Sequence, residues 1–130
     1  MQAPIIRVLV VDDSEIVRRG ICQILQSETD IEVVCEAADG ADALCKVREH
    51  RPHIVLLDIT MPVMNGFEAA RRIKREFPLT LILVVSLSES AQFTREAIAA
   101  GASGYVVKSN ACTELIPMLR KTMSQHVRTW

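Results

Sequence analysis

Three carboxylates stand where apolar runs stop: Asp12 and Asp13 end Val8-Leu9-Val10-Val11, and Asp58 ends Ile54-Val55-Leu56-Leu57. Ser86 follows Leu81-Ile82-Leu83-Val84-Val85 in the same way, and Lys108 follows Tyr105-Val106-Val107. Each has a bland reading as a turn, cap or solvated residue. Together they do not, because in an open parallel α/β sheet such strand ends share one edge, where ligands bind. Two charges about 4 Å apart at an effective dielectric of 20 repel by roughly 4 kcal/mol, so clustered carboxylates need a positive partner. An all-oxygen set suits a hard cation, and Mg²⁺ typically takes one or two carboxylates plus a substrate phosphate; Lys108 adds an organic cation. A carboxylate beside both is equipped to attack phosphorus. Asp58 is then the nucleophile that becomes an aspartyl phosphate, with Mg²⁺ and Lys108 offsetting phosphoryl charge and Ser86 donating a hydrogen bond.

The elements that must hold these residues alternate between strand and helix. Strands are expected at about 7–11, 32–37, 54–57, 81–85 and 105–107. Between them lie helices whose apolar residues recur at helical spacing, such as Val17, Ile21, Ile24 and Leu25 in a helix over 14–27. Ser14 or Asp13 can cap that helix. Asp39-Gly40 opens the second helix and Asn65-Gly66 the third, which carries Phe67, Ala70, Ile73 and Phe77 inward and Arg71, Arg72, Lys74 and Arg75 on a solvated face. The fourth covers 90–100 with Gly101 as a left-handed cap. The last is expected to start near Thr113, leaving Pro117 in or just past its first turn, where a missing amide is tolerated. The pattern predicts an α/β fold, (βα)5, with a doubly wound parallel sheet ordered 2-1-3-4-5.

Composition narrows the function. The 130 residues suit one domain, divided as 1–125 with 126–130 a tail or the start of a linker. Fifteen basic and 16 acidic residues leave a net charge of -1, without bulk attraction for nucleic acid or membrane. The longest uncharged stretch, Phe77 to Ser88, has 12 residues, short of the roughly 20 that span a bilayer, and charges arrive too early for a signal peptide. A cytoplasmic protein is expected. Cys22, Cys35, Cys45 and Cys112 lack metal or disulfide spacing and read as small core or semi-buried hydrophobes.

Val-Val-Asp-Asp at 10–13, Leu-Leu-Asp-Ile-Thr-Met-Pro at 56–62 with Asn65-Gly66 behind it, Val-Val-Ser at 84–86 and Gly-Tyr-Val-Val-Lys at 104–108 stand in order. Over nearly its whole length the chain resembles a response-regulator receiver domain of two-component signalling, a flavodoxin-like fold. The resemblance implies that Asp58 accepts phosphoryl from a histidine kinase or phosphotransfer protein. It implies that Asp13, Asp58 and the Thr60 carbonyl ligate Mg²⁺ while Asp12 holds a metal-bound water. The opening segment 6–20 and Ala-Gly-Ala-Ser-Gly-Tyr at 100–105 look most like the NarL/FixJ-like subgroup, whose members usually continue into a LuxR-type helix-turn-helix DNA-binding domain. DNA binding is thus expected only through a domain absent from these residues, either because a transcription factor was cut to its receiver or because the receiver stands alone. Phosphorylation-promoted homodimerisation, through the first and last helices or the face of the fourth and fifth, is implied as well.

A few positions depart from the family pattern. Ser86 replaces a frequent Thr and keeps the hydroxyl, Ser109 replaces a frequent Pro after Lys108, and Thr60 and Ser88 sit where the family tunes aspartyl-phosphate lifetime. Ser86 and Tyr105 are expected to form the switch: phosphorylation at Asp58 adds charge and acceptor oxygens, Ser86 moves toward them, and Tyr105 turns into the space vacated. A phosphoacceptor that catalyses only its own phosphorylation and dephosphorylation is preferred over two rivals. An aspartate-nucleophile phosphatase would carry an Asp where Thr60 stands, and a flavodoxin-like redox module would not set Asp12-Asp13 against a flavin phosphate.

Overall fold

The computed structural model describes residues 4–59 and 66–126. Thr60, Asn65 and the tail 127–130 lie outside the described residues. Five parallel strands, β1 (Ile6–Val11), β2 (Ile31–Ala37), β3 (Ile54–Leu57), β4 (Leu81–Ser86) and β5 (Gly104–Val107), form one sheet in the order β2-β1-β3-β4-β5. Five helices alternate with them: α1 (Glu15–Gln26), α2 (Gly40–His50), α3 (Gly66–Glu76), α4 (Ala91–Ala99) and α5 (Ala111–His126). The expected fold and strand order are the observed ones.

Every residue of β3 and β4 is buried, which is why both read as unbroken apolar runs, as strands covered on both faces do. Alternate residues serve different faces. Leu9, Val11, Val55, Leu57, Ile82 and Val84 pack with Ala43 and Val47 of α2, Ala70 and Ile73 of α3 and Ala97 of α4. Val8, Val10, Ile54, Leu56, Leu83 and Val85 meet Ile21 and Leu25 of α1 and Leu115 and Leu119 of α5. Ser14 caps α1 as expected, its side chain accepting from the Val17 amide, and Asp39 and Ser90 cap α2 and α4 by accepting from the Asp42 and Gln92 amides.

The structure corrects three sequence-based expectations. Helix α5 begins at Ala111, directly after a 3₁₀ turn over Lys108–Asn110, so Pro117 lies well inside it. Ala111, Leu115 and Leu119 are all buried, and this stripe on the sheet outweighs the roughly 3 kcal/mol that an interior proline costs. Pro117 itself is exposed, so the carbonyl it leaves unpaired lies on the wet side. Cys45 and Cys112 are exposed rather than semi-buried. Lys74 is not on a solvated face: its Nζ donates to Pro78 O at 2.7 Å and Thr80 O at 3.0 Å, and its stem packs under Gly101.

Glycine is required at two positions. Gly101 has φ +113, and a Cβ there would lie 2.5 Å from Lys74 Cγ. At Gly66, which opens α3, a Cβ would lie 2.2 Å from Ile59 Cα and 2.5 Å from the Asp58 carbonyl oxygen. By contrast a Cβ on Gly20, in the middle of α1, meets nothing within 4 Å. Gly20→Ala is therefore expected to stabilise the fold by about 0.5–1 kcal/mol, and Gly101→Ala and Gly66→Ala to destabilise it. Urea denaturation of the three variants measures this, and a stabilising Gly66→Ala would contradict the close approach.

Candidate functional site

The strand ends do converge. Asp12, the residue after β1, is pinned at three polar atoms: its N–H donates to Ala37 O (3.1 Å), its Oδ1 accepts from the Ser14 N–H (2.9 Å), and its carbonyl accepts from Arg18. Asp58 follows β3 and donates its N–H to Val11 O at 3.0 Å, which ties its position to the end of β1. Asp12 and Asp58 are buried and Asp13 is exposed, yet one carboxylate oxygen from each lies within 4.8 Å of the others. Lys108 reaches across from the end of β5, with Nζ 2.6 Å from Asp12 Oδ2 and 3.4 Å from Asp58 Oδ2. Burial would lower the Lys108 pKa, but its short contact with Asp12 and the charge of Asp58 outweigh that and raise it above the ordinary lysine value. It is held as an ammonium.

A second cation fits this arrangement. Asp12 Oδ2 is buried and receives no well-formed hydrogen bond, so beside Lys108 it keeps a lone pair to offer. One ammonium faces three carboxylates, and the excess negative charge, the all-oxygen donor set and its opening through Asp13 suit a hard divalent ion.

Ser86 is fully buried at the end of β4. Its Oγ accepts from the Ser88 N–H at 3.2 Å. Tyr105, half-buried on β5, donates its hydroxyl to Ser88 O at 2.8 Å. Both expected switch residues thus hold the same loop residue. The loop continues the pattern, with Ser88 Oγ accepting from the Ser90 N–H (3.1 Å) and Ser90 Oγ from the Gln92 N–H (3.2 Å). The Lys108–Ser109 peptide is trans.

The response regulator receiver domain family matches residues 8–120. The chain belongs to that family. It is 38% identical over 115 residues to response regulator GacA of Pseudomonas protegens, an alignment covering 88% of this chain and 54% of that protein. Among solved structures, a LuxR-family two-component response regulator from an Aurantimonas species superposes with a TM-score of 0.88 at 36% identity, covering 92% of this chain and 86% of the other. The receiver domain of the response regulator NarL from Mycobacterium tuberculosis gives 0.85 at 32%, covering 92% and 96%. LuxR- and NarL-type relatives are thus among the matches, in keeping with the subgroup resemblance. The chain spans about half the length of the curated relatives it matches. It is a two-component signalling domain, and no helix among the described residues is long and apolar enough to cross a membrane.

Sequence reading missed the Arg18 contact with the Asp12 carbonyl and the serine chain from 86 to 92. Spacing alone does not reveal either, since both depend on where a long side chain or a loop backbone finally lies.

Lys108→Met leaves two buried carboxylates without their organic cation. In chelator it is expected to destabilise the domain by about 3 kcal/mol, the lower end for a broken buried pair, and saturating Mg²⁺ is expected to stabilise the variant more than the wild type. Urea melts with and without Mg²⁺ read the difference. Equal Mg²⁺ increments in both proteins would show that lysine and ion do not share these carboxylates.

Proposed function

We propose that Asp58 is the phosphoryl acceptor of this receiver and that Mg²⁺ is its cofactor. The observation that carries the reading is a buried carboxylate at the end of β3, 3.4 Å from a raised-pKa lysine and clustered with two further carboxylates. Asp58 Oδ attacks the phosphorus of a phosphohistidine donor, the P–N bond breaks, and the imidazole leaves. Asp13, Asp58 and the Thr60 carbonyl would hold Mg²⁺, with Asp12 on a metal-bound water; the ion supplies Lewis-acid stabilisation of the phosphoryl oxygens. Lys108 takes up part of the charge delivered to Asp58, and the Ser86 hydroxyl donates to one of the new oxygens. The chain turns over no other substrate.

The donor on this reading is a histidine kinase or phosphotransfer protein, and the setting is the cytoplasm. Ile16 at the start of α1 is 84% exposed and Leu87 beyond β4 is 74% exposed, so apolar side chains flank the elements that carry the carboxylates and Ser86. They suit a protein donor better than a small molecule alone. A helix-turn-helix domain outside these residues would carry any DNA binding, and phosphorylation would promote homodimerisation. Intact mass after acetyl phosphate and Mg²⁺ is expected to rise by one phosphoryl group, and not in Asp58→Asn or in chelator. An undiminished gain in either control overturns the assignment.

Ser86 and Tyr105 would convert that event into a change of surface. When Ser86 Oγ turns to the phosphoryl group it leaves the Ser88 N–H, and Ser88 also carries the carbonyl that holds Tyr105. Shifting a population from 1:99 to 99:1 needs about 5.5 kcal/mol of differential interaction, and one neutral hydrogen bond supplies only about 1. Charge-assisted contacts from Lys108 and the metal must therefore act with Ser86. Ser86→Ala is expected to accept phosphoryl yet respond weakly to beryllofluoride in NMR spectra, with diminished shifts at Tyr105, Ser90 and α4. Shifts as large as in the wild type would remove Ser86 from the switch.

A further inference from the structure

Arg18 stands on the second turn of α1 and bridges two strand ends. Its Nη1 donates to the Asp12 carbonyl oxygen at 2.7 Å and its Nε to Glu36 Oε1, near the end of β2, at 3.0 Å. Its side chain is only 17% exposed, so the guanidinium is held in place rather than waving in solvent. The oxygen it grips belongs to the peptide joining Asp12 to Asp13, and a planar peptide fixed at its oxygen is fixed at the following N–H as well. The other atoms of Asp12 are tied to Ala37, Ser14 and Lys108; the Ser14 contact turns the chain over Asp13, and Arg18 grips the Asp12–Asp13 peptide itself, at its oxygen.

We propose that Arg18 is a positioning residue for the divalent-cation site: by holding the Asp12 carbonyl it aims the Asp13 carboxylate at the ion, while Glu36 holds the guanidinium from the β2 side. This rests on the reading of Asp12, Asp13 and Asp58 as a cation site. A planar fork explains why arginine serves here, since it can satisfy two acceptors in fixed directions where an ammonium offers a single point. Charge and position make opposite demands. A guanidinium near the carboxylates repels an incoming cation, so by charge alone its removal should tighten binding; if Arg18 positions Asp13, removal loosens it.

The test is Mg²⁺ titration of the full chain by NMR chemical shift, with urea melts as a separate measure of folding. Arg18→Ala is expected to raise the Kd about tenfold, the lower end of what losing a partner of a metal ligand costs. Arg18→Lys, which keeps a donor for the Asp12 carbonyl but loses the fork that also meets Glu36, recovers part of the affinity, and Glu36→Gln changes it less than Arg18→Ala does. In the Asp13→Asn background Arg18→Ala adds little, because the ligand it would aim is already impaired. An unchanged or tighter Kd in Arg18→Ala overturns the proposal, and so does an equal loss with and without Asp13. If Arg18→Ala does not fold, Arg18→Lys and Glu36→Gln decide it: each is expected to raise the Kd above the wild-type value, and an unchanged or tighter Kd in both overturns the proposal. A wild-type chain that takes up no divalent cation defeats the site reading itself, and the inference with it.

Discussion

One lysine paired with two buried carboxylates of a three-aspartate cluster is the interaction on which the rest of this structure depends. Asp12 and Asp58 are buried, and burying like charges together is costly unless each is paired and hydrogen-bonded. The fold meets that cost only in part. Lys108 comes within 4 Å of both buried carboxylates, while Asp13 remains at the rim. What holds the arrangement is the apolar sheet beneath it: the residue before each site residue, Val11, Leu57, Val85 and Val107, belongs to a strand paired along its length with its neighbours. The core thus stabilises a charge excess that the site could not sustain alone, and that excess is compatible with binding a cation.

The two faces of the sheet divide the consequences. On one face α1 and α5 pack against Val8, Val10, Leu83 and Val85, so a change at Lys108, at the head of the 3₁₀ turn that leads into α5, is felt beside α1. On the other, α4 rests on the sheet through Ala97 and on α3 through the stacked rings of Phe67 and Phe93, 6.0 Å apart. Its buried attachment is thin, with Ala97 its one buried residue. The hydrogen bonds through Ser86, Ser88 and Ser90 instead tie its first turn to the end of β4, each worth only about 1 kcal/mol. An element anchored in this way shifts at low cost, which is what a signalling surface requires.

The fold was legible because four of the five parallel strands read as short apolar runs, and each of those four runs ends on a residue that would be out of place in a core. The same logic found Asp12, Asp13, Asp58, Ser86 and Lys108, and the structure brings the three aspartates and Lys108 together. It failed where local chemistry and packing disagreed. Pro117 argued for a late helix start, but the stripe of Ala111, Leu115 and Leu119 set the start at Ala111. Lys74 carried the label of a charged helix face, yet its amine caps the carbonyls of Pro78 and Thr80. Arg18 was hidden for a related reason. A long side chain on a helix can reach several neighbours, and only the final register of β1 against β2 places the Asp12 carbonyl and Glu36 at the two prongs of its fork.

Lys108 also accounts for how the site can be both stable before reaction and responsive after it. At an effective dielectric of 20, its contacts at 2.6 Å and 3.4 Å correspond to roughly 6 and 5 kcal/mol of Coulomb attraction. The lysine leans toward Asp12 by a margin of about 1 kcal/mol only, so the preference is easily reversed. On the proposed function, a phosphoryl group on Asp58 would bring roughly -1.5 to -2 charges in place of one carboxylate, enough to draw the ammonium away from Asp12. Lys108 opens a single 3₁₀ turn that leads into α5, so a displaced lysine pulls on a helix start rather than on a loose loop. On this account Asp12 is the resting partner that keeps Lys108 charged and in place until Asp58 competes for it.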